Sequence, residues 1–318
     1  MDMKTDVRTI YEIGKRNNQE DSLYPLLTDG TTKQSFYILC DGVGGHVNGT
    51  LASSTVCRIF GERMTAVIND GKTIQEQDFI DTLAETYRVL NEMDDEETEK
   101  KMGTTLTFVS FSSEGAMVAH IGDSRIYHLR PSAEKPILYK SMDHSLANDL
   151  FRIGEITEEQ LATSKSRHIL TRAIQPNQEY PSEAEIHFLS DVQPGDYFYM
   201  CSDGMLENIN DNELIEIFRK NSNLDEKKQM LLDNSKENND NHTAFIIQVK
   251  ETDCRIDDKI ATQKVMSQPP SVQEQRVICR PAHQSRINLV ISLVFIMALV
   301  IFVLWLIFKP TPSLMPLT

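Results

Sequence analysis

Two apolar runs in this chain end alike. Phe36-Tyr37-Ile38-Leu39-Cys40 stops at Asp41-Gly42, and Tyr197-Phe198-Tyr199-Met200-Cys201 stops at Ser202-Asp203-Gly204. Each run is too short for a stable helix and suits a strand buried on both faces. Each Asp-Gly then predicts a turn, the glycine taking backbone angles that other residues avoid and leaving room for an ion, a water or a substrate. A buried strand that ends in Asp mounts a carboxylate on a rigid support. Two such strands bring two carboxylates to one end of a sheet, and oxygen donors of this kind suit hard cations such as Mg2+ and Mn2+.

The 318 residues allow one large domain or two small ones, and 40% hydrophobic with 25% charged residues is a globular composition. A formal net charge of -15 removes nucleic-acid binding through a basic footprint. The five cysteines are odd in number and form no Cys-x-x-Cys pair, which points to a reducing compartment. Cys40 and Cys201 sit inside the apolar runs and read as buried small hydrophobes. No run of histidines has metal-ligand spacing, which argues against zinc. Residues 1–11 lack an apolar segment, so no cleaved secretory signal is expected. Residues 287–308 carry no charge and lie between Arg286 and Lys309. At about 1.5 Å per residue this run crosses a ~30 Å hydrocarbon core, and Trp305 near its end fits an interfacial anchor. Arg276, Arg280 and Arg286 precede it and only Lys309 follows, which places the N-terminal side in the cytoplasm.

The periodicity of Val56, Ile59, Phe60, Met64 and Val67 predicts an amphipathic helix ended by Asn69-Asp70-Gly71, and Phe79, Leu83, Tyr87 and Leu90 predict a second. Residues 105–111 and 116–121 read as strands joined by a short turn, and so antiparallel. A further strand from Arg125 after Gly122-Asp123-Ser124 extends this to a meander, which argues against a doubly wound nucleotide fold. Residues 24–34 read as a loop. Residues 144–181 read as an elaboration at the rim of the sheet, where substrate choice would reside, with a capping box at Thr157-Glu158-Glu159-Gln160. Strands return at 184–189, 197–201 and 243–249, with helices after Asn210 and around 227–232. The expected organisation is a catalytic domain over residues 1–250, a flexible linker over 251–286, a transmembrane helix over 287–308 and a short tail over 309–318. Deleting everything from Glu251 onward is expected to leave a soluble, active domain.

Acids recur at strand ends and tight turns: Glu20-Asp21, Asp41-Gly42, Gly122-Asp123-Ser124-Arg125, Ser202-Asp203-Gly204 and Asp240-Asn241. An oxygen-only set suits two adjacent Mg2+ or Mn2+ ions, which lower the pKa of a bridging water and clamp displacement at phosphorus. Arg16, just before Glu20, has the planar fork that grips a phosphate dianion. In this order the motifs resemble those of the metal-dependent serine/threonine protein phosphatases of type 2C, the PPM family, in their compact bacterial form. Arg16-Asn17-Asn18-Gln19-Glu20-Asp21 resembles the opening motif, and Asp41-Gly42-Val43-Gly44-Gly45-His46 resembles Asp-Gly-Met-Gly-Gly-His. Gly103-Thr104-Thr105, Gly122-Asp123-Ser124-Arg125, Asp143-His144-Ser145, Leu170-Thr171-Arg172-Ala173, Cys201-Ser202-Asp203-Gly204-Met205 and Asp240-Asn241-His242-Thr243 complete the set.

The resemblance implies an α+β fold, a central sandwich of two antiparallel sheets flanked by helices. It also implies hydrolysis of phosphoserine and phosphothreonine on proteins by a metal-bridging hydroxide. Asp41 would bridge two central ions, the Gly42 carbonyl would bind the second, and Asp203 and Asp240 would complete the shell of the first. Glu20 and Asp21 would hold metal-bound waters or orient ligands. Asp123 with Asp203 would hold a third ion, and Arg16 would bind the substrate phosphate. Many eukaryotic members have His after Asp-Gly, proposed to protonate the leaving alkoxide. Here that position is Val43, so His46, another group or a metal-bound water would serve. His144 is expected to bind a backbone group. The expected partners are phosphorylated proteins, including kinases or receptors anchored in the membrane. A non-catalytic module on the same fold and a small-phosphoester hydrolase are the competing functions.

Overall fold

Side-chain alternation along the strands sorts this core into three layers. The structure, a computed structural model, describes residues 3–26, 29–44, 47–94 and 102–252. The chain opens with β1 (Lys4–Glu12), β2 (Ser22–Tyr24), β3 (Gly30–Thr32), β4 (Phe36–Cys40) and the two-residue β5 (Gly42–Val43). Helices α1 (Val47–Asn69) and α2 (Glu76–Met93) lead to β6 (Gly103–Thr104), β7 (Leu106–Ser112), β8 (Gly115–Ile121), β9 (Arg125–Leu129) and β10 (Ile137–Lys140). Short helices α3 (Leu146–Arg152) and α4 (Glu158–Thr163) precede β11 (Glu185–Leu189) and β12 (Tyr197–Cys201). Helices α5 (Asp211–Arg219) and α6 (Leu224–Ser235) precede β13 (His242–Glu251).

One sheet has the order β10-β9-β12-β13-β1-β3 and the other β11-β8-β7-β4-β2, while β5 and β6 form a ribbon. Every named pairing is antiparallel. Tyr37 and Leu39 meet Phe198, Met200 and Phe245 between the sheets. On the opposite face of the same strand, Phe36, Ile38 and Cys40 pack with Phe60, Phe79 and Leu83 of α1 and α2. Tyr197, Tyr199 and Cys201 turn outward to Leu214, Ile217 and Leu231 of α5 and α6. A strand buried on both faces can lose its polar alternation because each face has its own apolar layer. The sandwich with helices on its outer faces is therefore the expected one.

Several local expectations change. β7 and β8 form the predicted hairpin, but β9 pairs with β10 and β12 in the other sheet. The Gly122-Asp123-Ser124 turn carries the chain between sheets, so there is no three-stranded meander. Within the expected loop 24–34, β3 pairs with β1 at the sheet edge. β13 runs through Glu251, which pairs with Lys4, so the strand enters the expected linker. Val249 is buried and its amide donates to the Asp196 carbonyl at 2.9 Å. Helix α1 begins at Val47, well before its periodic face. The capping box at Thr157 forms as expected, and the helix expected after Asn210 opens with a capping box on that residue. Among the described residues no helix is long and apolar enough to cross a membrane. The expected linker beyond Thr252, the span 287–308, the tail 309–318 and His46 lie outside the described residues.

Topology gathers the acids at one end of the sandwich. Cys201 on β12 pairs with Ala244 on β13 and Arg125 on β9, so Asp203, Asp240 and Asp123 leave the same sheet end. Glu12 pairs with His242, which sends the segment carrying Arg16, Glu20 and Asp21 out beside them. In the other sheet Ser22 pairs with Cys40, setting Asp21 next to Asp41.

Candidate metal centre

Asp41 sits between β4 and β5 with its backbone held by the Gly103-Thr104-Thr105 motif. The Asp41 amide donates to Thr105 Oγ1 at 3.0 Å, and its carbonyl accepts from the Thr105 amide at 2.8 Å and Thr104 Oγ1 at 2.9 Å. The glycines after Asp41 and Asp203 serve close packing. Neither has positive φ. A Cβ on Gly42 would lie 2.4 Å from the Gly49 carbonyl oxygen and 2.6 Å from that of Glu20, and one on Gly204 2.1 Å from the Asn241 carbonyl oxygen. The room expected for a ligand is filled by neighbouring backbone. Asn241 fixes the loop before β2: its Oδ1 accepts the Glu20 amide at 2.9 Å, and its Nδ2 donates to the carbonyls of Ile13 and Asn18 at 2.8 and 2.9 Å.

Arg16, Asp123, Asp203 and Asp240 line a cleft of about 590 Å³. Arg16 Nη2 stands 2.6 Å from Asp240 Oδ2. Asp41 and Asp21 lie among the same carboxylates. Burial, then the charges of Asp21, Asp203, Asp123 and Asp240, hold the Asp41 carboxyl well above the usual range. Burial, with Asp203 and Asp240, pushes Asp21 up to about 7, and burial, with Asp203 and Asp143, pushes Asp123 up to about 7. Asp203 is raised by burial and by Asp240. Glu20 belongs to this cluster as well, because its charge and those of Asp240 and Asp203 raise Arg16. All seven positions singled out in the sequence for metal binding, together with Arg16, thus converge at one place.

Divalent cations fit this set. The donors are carboxylate and carbonyl oxygens, Asp21 Oδ2 is buried without a partner, and like charges this close cannot all ionise without a counter-charge. Asp143 and Glu207 also reach the cleft. Asp143 pairs with Arg125 at two points, and Glu207 accepts the amides of Asn239 and Asp240 at 2.9 and 3.2 Å. Sequence reasoning assigned neither a role. Asp143 stood inside a quoted motif, whereas Glu207 had no signal beyond following Asp203. Arg167 and His168 from the 144–181 rim line the cleft, and an adjoining pocket of about 370 Å³ shares Arg125, Asp143 and Arg167. The chain also brings together His120, His144 and Glu185, whose ligand atoms lie within 4.8 Å of one another, a histidine cluster that spacing did not reveal. Cys40, Cys57 and Cys201 are buried free thiols.

The family model described as Protein phosphatase 2C matches residues 12–238. The chain belongs to this family. It is a metal-dependent protein serine/threonine phosphatase, a hydrolase that acts on phosphoproteins. A putative protein phosphatase 2C-type from Streptococcus pyogenes is 34% identical over 233 residues, covering 73% of this chain and 90% of that protein. The S. agalactiae serine/threonine phosphatase superposes with a TM-score of 0.61 at 26% identity, covering 77% of this chain and 100% of that one. The catalytic domain of the phosphatase PstP, solved with 2 manganese ions, gives a TM-score of 0.62 at 24% identity, covering 78% of this chain and 100% of that one. These likenesses agree with the fold of this phosphatase and with the span over which its motifs run.

Proposed function

We propose that this phosphatase hydrolyses phosphoserine and phosphothreonine on proteins at the Asp41–Asp203 cleft, using two central Mn2+ or Mg2+ ions. The observation that carries this reading is the convergence of carboxylates that raise one another, with Arg16 against Asp240 in the same cleft. Asp41, the Gly42 carbonyl, Asp203 and Asp240 would hold the central pair. Glu20 and Asp21 would orient waters or ligands around it, and Asp123 with Asp203 would hold a third ion. The manganese in the PstP catalytic domain supports the choice of metal. Bound there, divalent cations supply Lewis-acid polarisation of the phosphoryl group and an activated water.

The chain's own part is placement. Thr104 and Thr105 fix the Asp41 peptide, and Asn241 fixes the Glu20 peptide. Arg16 binds the phosphate dianion of the substrate through its fork. Val43 carries no proton to donate to the leaving alkoxide, so that proton comes from elsewhere in the site. The rim residues Arg167 and His168 and the adjoining pocket take substrate residues beside the phosphorylated one. The domain would be tethered by residues 287–308 to the cytoplasmic face of a membrane and would act on phosphoproteins near it.

The test is an initial-rate comparison of a phosphothreonine peptide and a small phosphoester, with and without Mn2+. Mn2+-dependent turnover that favours the peptide is expected, and Asp41→Ala and Asp203→Ala each abolish it. Activity that survives either substitution at saturating Mn2+ removes the metal assignment. Preference for the small ester favours the small-phosphoester reading.

A further inference from the structure

Asp143 and His144 stand where the chain leaves the sheets for the rim, and both grip the turn that carries Asp123. Asp143 Oδ1 and Oδ2 accept from Arg125 Nε and Nη2, each at 2.6 Å. The Gly122 amide donates to His144 Nδ1 at 3.0 Å, and the His144 amide donates back to the Gly122 carbonyl at 2.9 Å. Gly122 has φ +110, and a Cβ there would lie 2.5 Å from Thr105 Cγ2, so the turn has no slack to shift toward β7. The peptide before Asp123 and the side chain two residues after it are thus held by consecutive residues of one segment.

The shorter of two contacts sets the tautomer. The Gly122 amide only donates and lies 3.0 Å from Nδ1, so that nitrogen is bare and the neutral ring bears its hydrogen on Nε2, where Arg172 Nη1 stands farther off at 3.4 Å. Nε2 faces Glu185 Oε1 at 3.3 Å, and the ring stacks on His120 at 4.5 Å between centroids. His144 is fully buried, and burial with the neighbouring His120 and Arg172 pushes it down to about 4, so the ring is neutral. The same bonds exclude a cation between His120, His144 and Glu185. The bare nitrogen of His144 is spent on Gly122, and Arg152 and Arg172 stand 3.2 and 3.6 Å from Glu185 Oε1. That trio is a support for the His144 ring.

We propose that His144 is a positioning residue for the third cation site: by accepting the Gly122 amide at Nδ1, its ring fixes the Ile121–Gly122 peptide and with it the turn that aims the Asp123 carboxylate at Asp203. This rests on the reading that Asp123 with Asp203 holds a third ion. The Asp41 and Glu20 peptides hang on Thr104, Thr105 and Asn241, and the turn reaches them through Ser124 Oγ, 2.8 Å from Thr105 Oγ1, so the loss of the His144 ring falls first on Asp123. Removing the acceptor leaves a buried amide unsatisfied, and the turn moves to find a partner. Second-shell changes of this kind cost metal affinity on the order of 10–100-fold.

The experiment is calorimetric titration of the metal-free, full-length protein with Mn2+, comparing wild type with Asp123→Asn, His144→Gln and His144→Asn. The Asn oxygen reaches the place of Nδ1, and the Gln oxygen reaches that of Nε2. Wild type is expected to take two ions tightly and one weakly, and Asp123→Asn to lose the weak one. His144→Gln weakens that ion by about tenfold or more, His144→Asn restores it to within about threefold of wild type, and neither alters the two tight ions. If Asp123→Asn loses the weak ion while His144→Gln binds it as wild type does, the positioning role is overturned. Equal losses in the Asn and Gln variants overturn it too. If Asp123→Asn keeps the weak ion, the third-site reading itself falls. Nitrogen-15 spectra of the wild-type imidazoles give a check independent of variant folding. A protonated Nε2 and bare Nδ1 at His144 support the proposal, and the opposite tautomer overturns it.

Discussion

Asp21 is buried, one of its oxygens lacks a partner, and it is pushed up to about 7, as is Asp123. Without metal, the folded chain keeps protons on these groups at a pH where the unfolded chain has lost them. Stability therefore falls as pH rises through that window. His120 and His144 are lowered in the fold and act in the opposite sense, but only below about pH 6.5, where unfolded histidine takes up protons. Between about pH 6.5 and 8 the carboxylates decide the sign. In chelator, the Tm at pH 8 should lie several degrees below that at pH 6.5, and saturating Mn2+ should close the gap because cations replace the protons. A scanning-calorimetry Tm that rises with pH in chelator would contradict the clustering. Arg16→Ala should raise KM for a phosphopeptide more than it lowers kcat, because the fork binds phosphate in the ground state as well. Arg16→Lys should recover only part of that loss, since an ammonium cannot make two parallel bonds. An unchanged KM in Arg16→Ala would take it out of the phosphate site.

Elements were legible where local signals agreed. The Phe36–Cys40 and Tyr197–Cys201 strands, the β7–β8 hairpin and helices α2 and α5 follow from apolar period and capping chemistry. The crossing of β9 into the second sheet was not legible, because a short turn reads the same whether the next strand joins its neighbour or the opposite sheet. β3 is a three-residue edge strand without apolar period, and only its pairing with β1 defines it. The acids of the site were legible as motif words. Of the supports of those acids, His144 was expected to bind a backbone group and does so at the Gly122 amide, whereas Asn241 had no expected role; neither partner was legible, since both bonds join residues far apart in the chain. The two Asp-Gly glycines share a local signal but not an outcome. Asp203-Gly204 forms the expected turn, Gly42 lies in β5 instead, and both glycines allow one backbone to approach another. Gly42→Ala tests this at the junction of β5 and α1. Its methyl meets two carbonyl oxygens, so the start of α1 or the Glu20 peptide must move. Overpacking of this kind costs about 1–3 kcal/mol. The expected result is a Tm lowered by several degrees together with weaker Mn2+ binding. A variant with wild-type Tm and Mn2+ affinity would show that the contact yields freely.

At the scale of the whole molecule, the proposed catalytic groups come from five separate stretches of chain, and antiparallel pairing brings them to one end of the sandwich. The last stretch is Asp240 with β13, so nothing beyond that strand is needed to build the site. β13 closes at Glu251, with Lys4 Nζ 3.0 Å from Glu251 Oε1, which moves the natural cut from before Glu251 to after Thr252. A chain ending at Thr252 keeps Val249 and its amide bond to the Asp196 carbonyl. It should be soluble and hydrolyse a soluble phosphothreonine peptide within about twofold of the full-length rate, since it keeps the whole of β13 and the ion pair between Lys4 and Glu251. A chain cut after Ile247 should lose its cooperative melt, because it gives up buried Val249 and the pairing of Thr5 with that residue. The full-length protein should resist carbonate extraction from membranes. A flexible segment of the linker's length reaches on the order of 30–35 Å, so full-length protein should prefer phosphoproteins displayed on vesicles over the same peptide free in solution, and the chain ending at Thr252 should show no such preference. Full-length protein released by carbonate would remove the span over 287–308. An inactive chain ending at Thr252 would show that residues beyond it complete the domain.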